Sequence, residues 1–153
     1  MAAKLIPEYG SHFLPGVKHQ MKVSIGYNSD YDVPMAAAGA YTLFTPSVGI
    51  LVTDVRVVKE TAFGSTGSFT FTIGDTDVDG FALSTELVMS DTGQKSMRGV
   101  KSTANDLLDA AAYYAGRLYT SDDTLAITAT IGTAPINAGK AYVIVEYLDL
   151  NEF

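Results

Sequence analysis

The stretch SFTFTIG, residues 68–74, sets Phe69, Phe71 and Ile73 on one side of an extended chain and Ser68, Thr70 and Thr72 on the other. A repeat of two is that of a β-strand with one buried face. The same repeat returns along the chain. In QMKVSIGY, 20–27, Met21, Val23, Ile25 and Tyr27 share one face, with Lys22 and Ser24 opposite. In TLAITATIG, 124–132, Leu125, Ile127, Ala129 and Ile131 share one face. GILVTDVRVVKE, 49–60, is the longest alternating run, with Leu51, Thr53, Val55 and Val57 expected on one side and Asp54, Arg56 and Glu60 on the other. AYTLFT, 40–45, is a short strand stopped by Pro46, and AYVIVEYLDL, 141–150, is apolar on both faces, as a central strand must be.

The connections carry the residues that end strands. YNSDYDVPMAAAG, 27–39, is rich in turn formers, and Pro34 within it has no N–H for a ladder. GSTG, 64–67, and GTAPINAGKA, 132–141, read as hairpin connections. The region 101–118, KSTANDLLDAAAYYAGRL, is ambiguous. Thr103 and Asp106 fit a helix start, the Leu and Ala run fits a short helix near 103–115, and Gly116 fits its end; loop plus strand is the other reading. Seven or eight strands in 153 residues must close as two packed sheets or a barrel. The expectation is one all-β domain over residues 20–153, an antiparallel sandwich with a jelly-roll-like core.

Residues 1–19 form a different kind of segment. Pro7, Gly10, Pro15 and Gly16 interrupt both helix and strand, while Leu5, Ile6, Tyr9, Phe13 and Leu14 give more apolar surface than a solvated tail carries. We expect an extended arm that lies against its own domain or a partner, with Leu5, Tyr9, His12, Phe13 and His19 as contact residues. The arm has no apolar core of the kind a secretory leader shows, and no apolar run in the chain approaches the roughly 20 residues of a membrane span.

Charge narrows the partners. The net charge is −7 and the ten basic residues are scattered, so neither nucleic acid nor an anionic membrane is the expected partner. Only 18% of residues are charged, against about 25% in an average domain. The surface is hydroxyl-rich, with nine Tyr and seven Phe, a composition suited to protein contact. Without cysteine, the chain has no disulfide framework and can mature in a reducing cytoplasm.

Tests for chemistry mostly fail. GDTDVDGFALSTE, 74–86, places Asp75, Asp77 and Asp79 at alternate positions, Gly80 next and Glu86 twelfth, which completes the ligand pattern of a calcium loop. That loop requires flanking helices, yet a strand enters it. We read it as an acidic connection from strand to strand, in which Phe81 and Leu83 re-enter the core. A calcium-dependent binding module centred on Asp75, Asp77, Asp79 and Glu86 is the alternative. His12 and His19 are the only histidines, there is no G-x-S-x-G, and Ala134 and Ala141 stand where a phosphate loop needs Gly and Ser or Thr. No catalytic group, resident metal or cofactor is expected.

Four stretches together point to a family. These are the loop Gly74–Phe81 after its Thr-rich strand, the strand start Asp123–Thr128, the turn Ala138–Lys140 and the final Val143–Tyr147. Over residues 46–150 the chain resembles head decoration, or cement, proteins of tailed phages and related small virion proteins. The 103–115 stretch and the arm lie outside that resemblance. It implies a non-enzymatic structural protein made in the host cytoplasm. It also implies a place on the capsid exterior, where such proteins, often as homotrimers, clamp major capsid protein subunits together; a tail or baseplate role is the variant.

Overall fold

The computed structural model describes residues 18–96, 112–113 and 115–152. They form nine strands: β1 His19–Gly26, β2 Val33–Pro34, β3 Gly39–Phe44, β4 Ile50–Gly64, β5 Phe69–Gly74, β6 Gly93–Ser96, β7 Arg117–Leu118, β8 Leu125–Ile131 and β9 Ala138–Asp149. A 3₁₀ turn, Leu150–Glu152, follows β9. The expected short helix near 103–115 lies largely outside the described residues; Ala112, Tyr113 and Ala115 are in turn conformation.

Two sheets pack face to face, as an all-β sandwich. One runs β2-β1-β9-β4-β6, with β7 joining β4; the other runs β3-β8-β5. Every pairing is antiparallel except the two-residue pairing of β1 with β2, which is parallel. As its doubly apolar sequence requires, β9 is central, flanked by β1 and β4. Pro34, which cannot donate, sits in a strand at the sheet edge, where no donor is needed.

The core lies between the sheets. Ile25, Val52, Val55, Val57, Ala141, Val143 and Val145 come from the larger sheet. Leu43, Phe71, Ile73, Leu125, Ile127 and Ala129 face them from the smaller one, all buried. Phe63 and Phe71 meet edge to face with centroids 5.4 Å apart, which fixes one end of β4 over β5.

Two expectations need correction. Strict alternation along β4 fails, because the ladder to β9 shifts register between Val52 and Asp54. The extra residue reverses the parity. Val52 is therefore buried, while Leu51 and Thr53 face outward; inward packing resumes at Val55 and Val57. The two glycine-rich turns are not hairpins either. β4 and β5 belong to different sheets, as do β8 and β9, so residues 64–67 and 132–138 carry the chain across the sandwich. The crossings brace each other: the Ser65 hydroxyl donates to the Ala134 carbonyl at 2.9 Å, and the Asn137 and Gly132 amides donate to the carbonyls of Gly64 and Ser68.

Candidate functional site

Of the five expected contact residues, Leu5, Tyr9, His12 and Phe13 lie outside the described residues. His19 is the first residue of β1, opposite Tyr147. Its ring stacks on Tyr147 at 5.2 Å, and Nε2 meets the Glu152 carboxylate at 2.5 Å. Next to it Lys18 pairs with Glu146 at 3.1 Å. His19 therefore holds the start of β1 to the end of β9.

The acidic loop is built as a clasp. The Asp75 side chain is fully buried. It accepts from the Tyr113 hydroxyl at 3.0 Å, from Arg117 Nε at 3.2 Å and from the Asp77 amide at 3.0 Å. Arg117 lies between two rings, with its guanidinium carbon 4.5 Å from the Tyr113 centroid and 5.4 Å from that of Tyr119. Burial works to lower the Arg117 pKa, but the charge and hydrogen bond of Asp75, with Tyr113 and Tyr119, together outweigh it and raise it. Burial, then the bond to Asp75, pushes Tyr113 up to about 12. The Tyr119 hydroxyl is buried near the Asp75 carboxylate, and among the described residues it makes no well-aligned hydrogen bond.

Glycine in this loop answers to packing. At Gly80 a Cβ would run into the Tyr113 ring, and the Gly80 carbonyl accepts from the Tyr113 amide at 2.7 Å. Its backbone is not in the left-handed region, so the sharp calcium-loop turn is not the reason for glycine here. Phe81 and Ala82 return to the core, fully buried, and an isolated bridge pairs Ala82 with Ile73. Leu83, expected in the core, is only half-buried.

The four carboxylates of the calcium pattern do not converge. Asp75 is turned inward to Arg117, and Glu86 Oε1 accepts from the Leu83 amide at 3.4 Å. Asp77 is held above the usual carboxylate range, first by a hydrogen bond with Asp79, then by burial and the neighbouring charges. Among the described residues no group of three His, Asp or Glu side chains is arranged to hold a metal ion.

The outer face of the larger sheet is the most featured surface. Lys22 on β1 stands over the Tyr142 ring of β9 at 4.1 Å, and Lys140 approaches the same ring at 5.4 Å. Lys140 also pairs with Glu60 at 2.9 Å, and that bond, then one with Tyr142, raises its pKa. Beside them a shallow hollow of about 310 Å³ is lined by Lys22, Ser24, Asp32, Lys140 and Tyr142. Asp32 is clipped to Ser24 by reciprocal bonds of 2.9 Å, and the Ser24 amide lowers its pKa. These residues offer charge, rings and hydroxyls for contact.

Sequence reasoning missed the clasp. Arg117, Tyr113 and Tyr119 fell in or beside the ambiguous 101–118 region, where no period separates helix from strand. The available signal was an arginine flanked by tyrosines in a chain with few basic residues.

No protein-family model and no curated protein matches this sequence. Solved structures share its fold. A chain of the cyanophage Pam1 capsid asymmetric unit superposes with a TM-score of 0.55 at 16% identity, over 96% of this chain and 93% of that one. A chain of the acid-stable capsid structure of Helicobacter pylori bacteriophage KHP30 gives 0.51 at 13% identity, over 88% and 94%. At such identities the likeness is one of fold.

Proposed function

We propose that this chain is a structural protein of a phage virion, without enzymatic activity. It acts on the capsid exterior as a decoration, or cement, protein that holds neighbouring major capsid protein subunits together. The observation that carries this reading is the fold, shared over most of its length with chains of two phage capsid structures. The strand and turn motifs of residues 74–81, 123–128, 138–140 and 143–147 point the same way. The surface is compatible with that role: few charges, many hydroxyls and rings, and a sheet face that presents Lys22, Lys140 and Tyr142.

The mechanism is multivalent binding. A trimer presents three copies of each modest contact, and once one copy is seated the others act at high effective concentration. Residues Leu5, Tyr9, His12 and Phe13 add an arm that gives up chain entropy on docking and covers a large area. The test is addition of the purified chain to empty shells that lack it. Co-sedimentation at a fixed number of copies per shell, with a higher shell disruption temperature, is expected. A chain that stays in the supernatant at all ratios overturns the capsid reading.

A further inference from the structure

The edge of β5 is open over half its length. β5 pairs with β8 on one side, and on the other Ile73 bonds to the returning chain: its amide donates to the Ala82 carbonyl at 3.1 Å, and its carbonyl accepts from the Phe81 and Ala82 amides. Residues two apart in a strand aim their backbone groups the same way. The amides and carbonyls of Phe71 and Phe69 therefore also point away from β8, while Ser68 points toward it and accepts from Gly132. Among the described residues, nothing bonds the outward groups of Phe69 and Phe71.

The chain that covers Ile73 leaves the edge immediately. Residues 83–87 turn, with the Glu86 and Leu87 amides donating to the Leu83 carbonyl. The chain then continues without strand structure, tied elsewhere by the bond from the Phe63 amide to the Met89 carbonyl. Between it and β5 lies a groove of about 380 Å³, floored by Phe69 and Phe71 and walled by Leu87, Val88, Met89 and the serines Ser84 and Ser90. The groove thus has an unpaired strand edge on one side and a largely apolar wall on the other.

We propose that this groove receives residues 8–14 of a second copy of the chain, added as a strand beside Phe69–Phe71. That segment, EYGSHFL, lies between Pro7 and Pro15, so each of its residues keeps the N–H that a ladder uses, and it supplies Tyr9 and Phe13 for apolar walls. The geometry selects a second copy over the chain's own segment. His19 is opposite Tyr147, whereas the groove lies under the far end of β9, where Ala138 pairs with Gly64 beside Phe63 and Phe71. Nine residues of β9 separate Tyr147 from Ala138, about 30 Å of strand. The groove is also in the other sheet, about 10 Å away. Ser11, the middle of the segment, is eight residues from His19 and reaches about 28 Å at full extension. Residues 11–14 of the same chain therefore fall short of the groove, and the whole segment cannot lie in it.

Exchanged between two copies, the contact makes a dimer; passed from each copy to the next, it makes a ring or an open filament. The inference concerns the purified chain without shells, where Tyr9, His12 and Phe13 have only a second copy to meet, and it stands whether or not the capsid reading does.

The chain has no cysteine, so single thiols report without background. Copies carrying Ser11→Cys are mixed with copies carrying Ser90→Cys, or in a parallel arm Ser84→Cys, and oxidised. The proposal expects a disulfide between unlike copies in at least one arm, at a yield several-fold above either variant alone. It also expects the double variant to form chains linked to one another. Two results overturn it: no disulfide between unlike copies in either arm, or a double variant that closes its bond within single chains at high dilution.

Discussion

At the residue scale the Asp75 clasp is the sharpest feature, and it makes opposite forecasts for neighbours. Asp75→Ala removes a buried acceptor of three bonds and strands the Tyr113 hydroxyl. Arg117 is one-third exposed and recovers water, so the loss is about 2–3 kcal/mol, read as a lower urea midpoint. Tyr119→Phe deletes a buried hydroxyl that lies near Asp75 without a well-aligned bond to it, and is expected to change stability by less than about 1 kcal/mol. If Tyr119→Phe instead costs as much as Asp75→Ala, the clasp is wrongly assigned. These residues were only partly legible beforehand. The acidic spacing was plain, but a buried carboxylate and a calcium ligand are the same letter, and only the partner brought by the fold tells them apart.

Acid titration reads the same scale. Burial works to raise the Glu146 pKa, but Lys18 and the Thr53 hydroxyl outweigh it and leave it below its usual value. A carboxyl depressed in the native state adds stability that is complete above its unfolded pKa, near 4.5, and is lost as pH falls through the native value. Asp77 is raised, so its ionised form costs stability at neutral pH, and that cost disappears as pH falls through its native value. Glu146→Gln should therefore flatten the acid limb of the melting curve below pH 4.5. Asp77→Asn should raise the melting point at pH 7 and lose that gain in acid. A Glu146→Gln curve parallel to the parent below pH 4.5 would contradict the assignment.

At the scale of elements, the six longer strands were legible, most from their period of two and β9 from its apolar run, and the three short ones were not. β2, β6 and β7 have two, four and two residues, too few to show a period. The β4 bulge was hidden for a related reason: alternation predicts parity, and one inserted residue inverts it without changing composition. β9 carries its own irregularity. Gly139 has φ +129° in a strand, and a Cβ there would strike the Phe63 ring. Gly139→Ala should cost about 2–3 kcal/mol through backbone strain, with more from displaced Phe63. An unchanged urea midpoint would mean that β9 can relax there at little cost.

At the scale of the whole molecule, the chain crosses between sheets again and again, placing β1 and β2, then β4, β6 and β7, and finally β9 in one sheet and β3, β5 and β8 in the other. All-β class follows from local pattern, but which turns cross and which return depends on contacts far apart in sequence, such as Ser65 with Ala134. This is why 64–67 and 132–138 looked like hairpins. The winding also sets the surfaces: it leaves the Lys22–Tyr142–Lys140 face outward on one sheet and the β5 edge open on the other. These two surfaces are where the proposed contacts with other chains would form. The direct test of the proposed role is gold-labelled antibody against this chain, applied to purified intact phage particles from lysates that contain it and viewed by electron microscopy. The account predicts label distributed over the head surface; label confined to the tail, or absent from the particles, would contradict it.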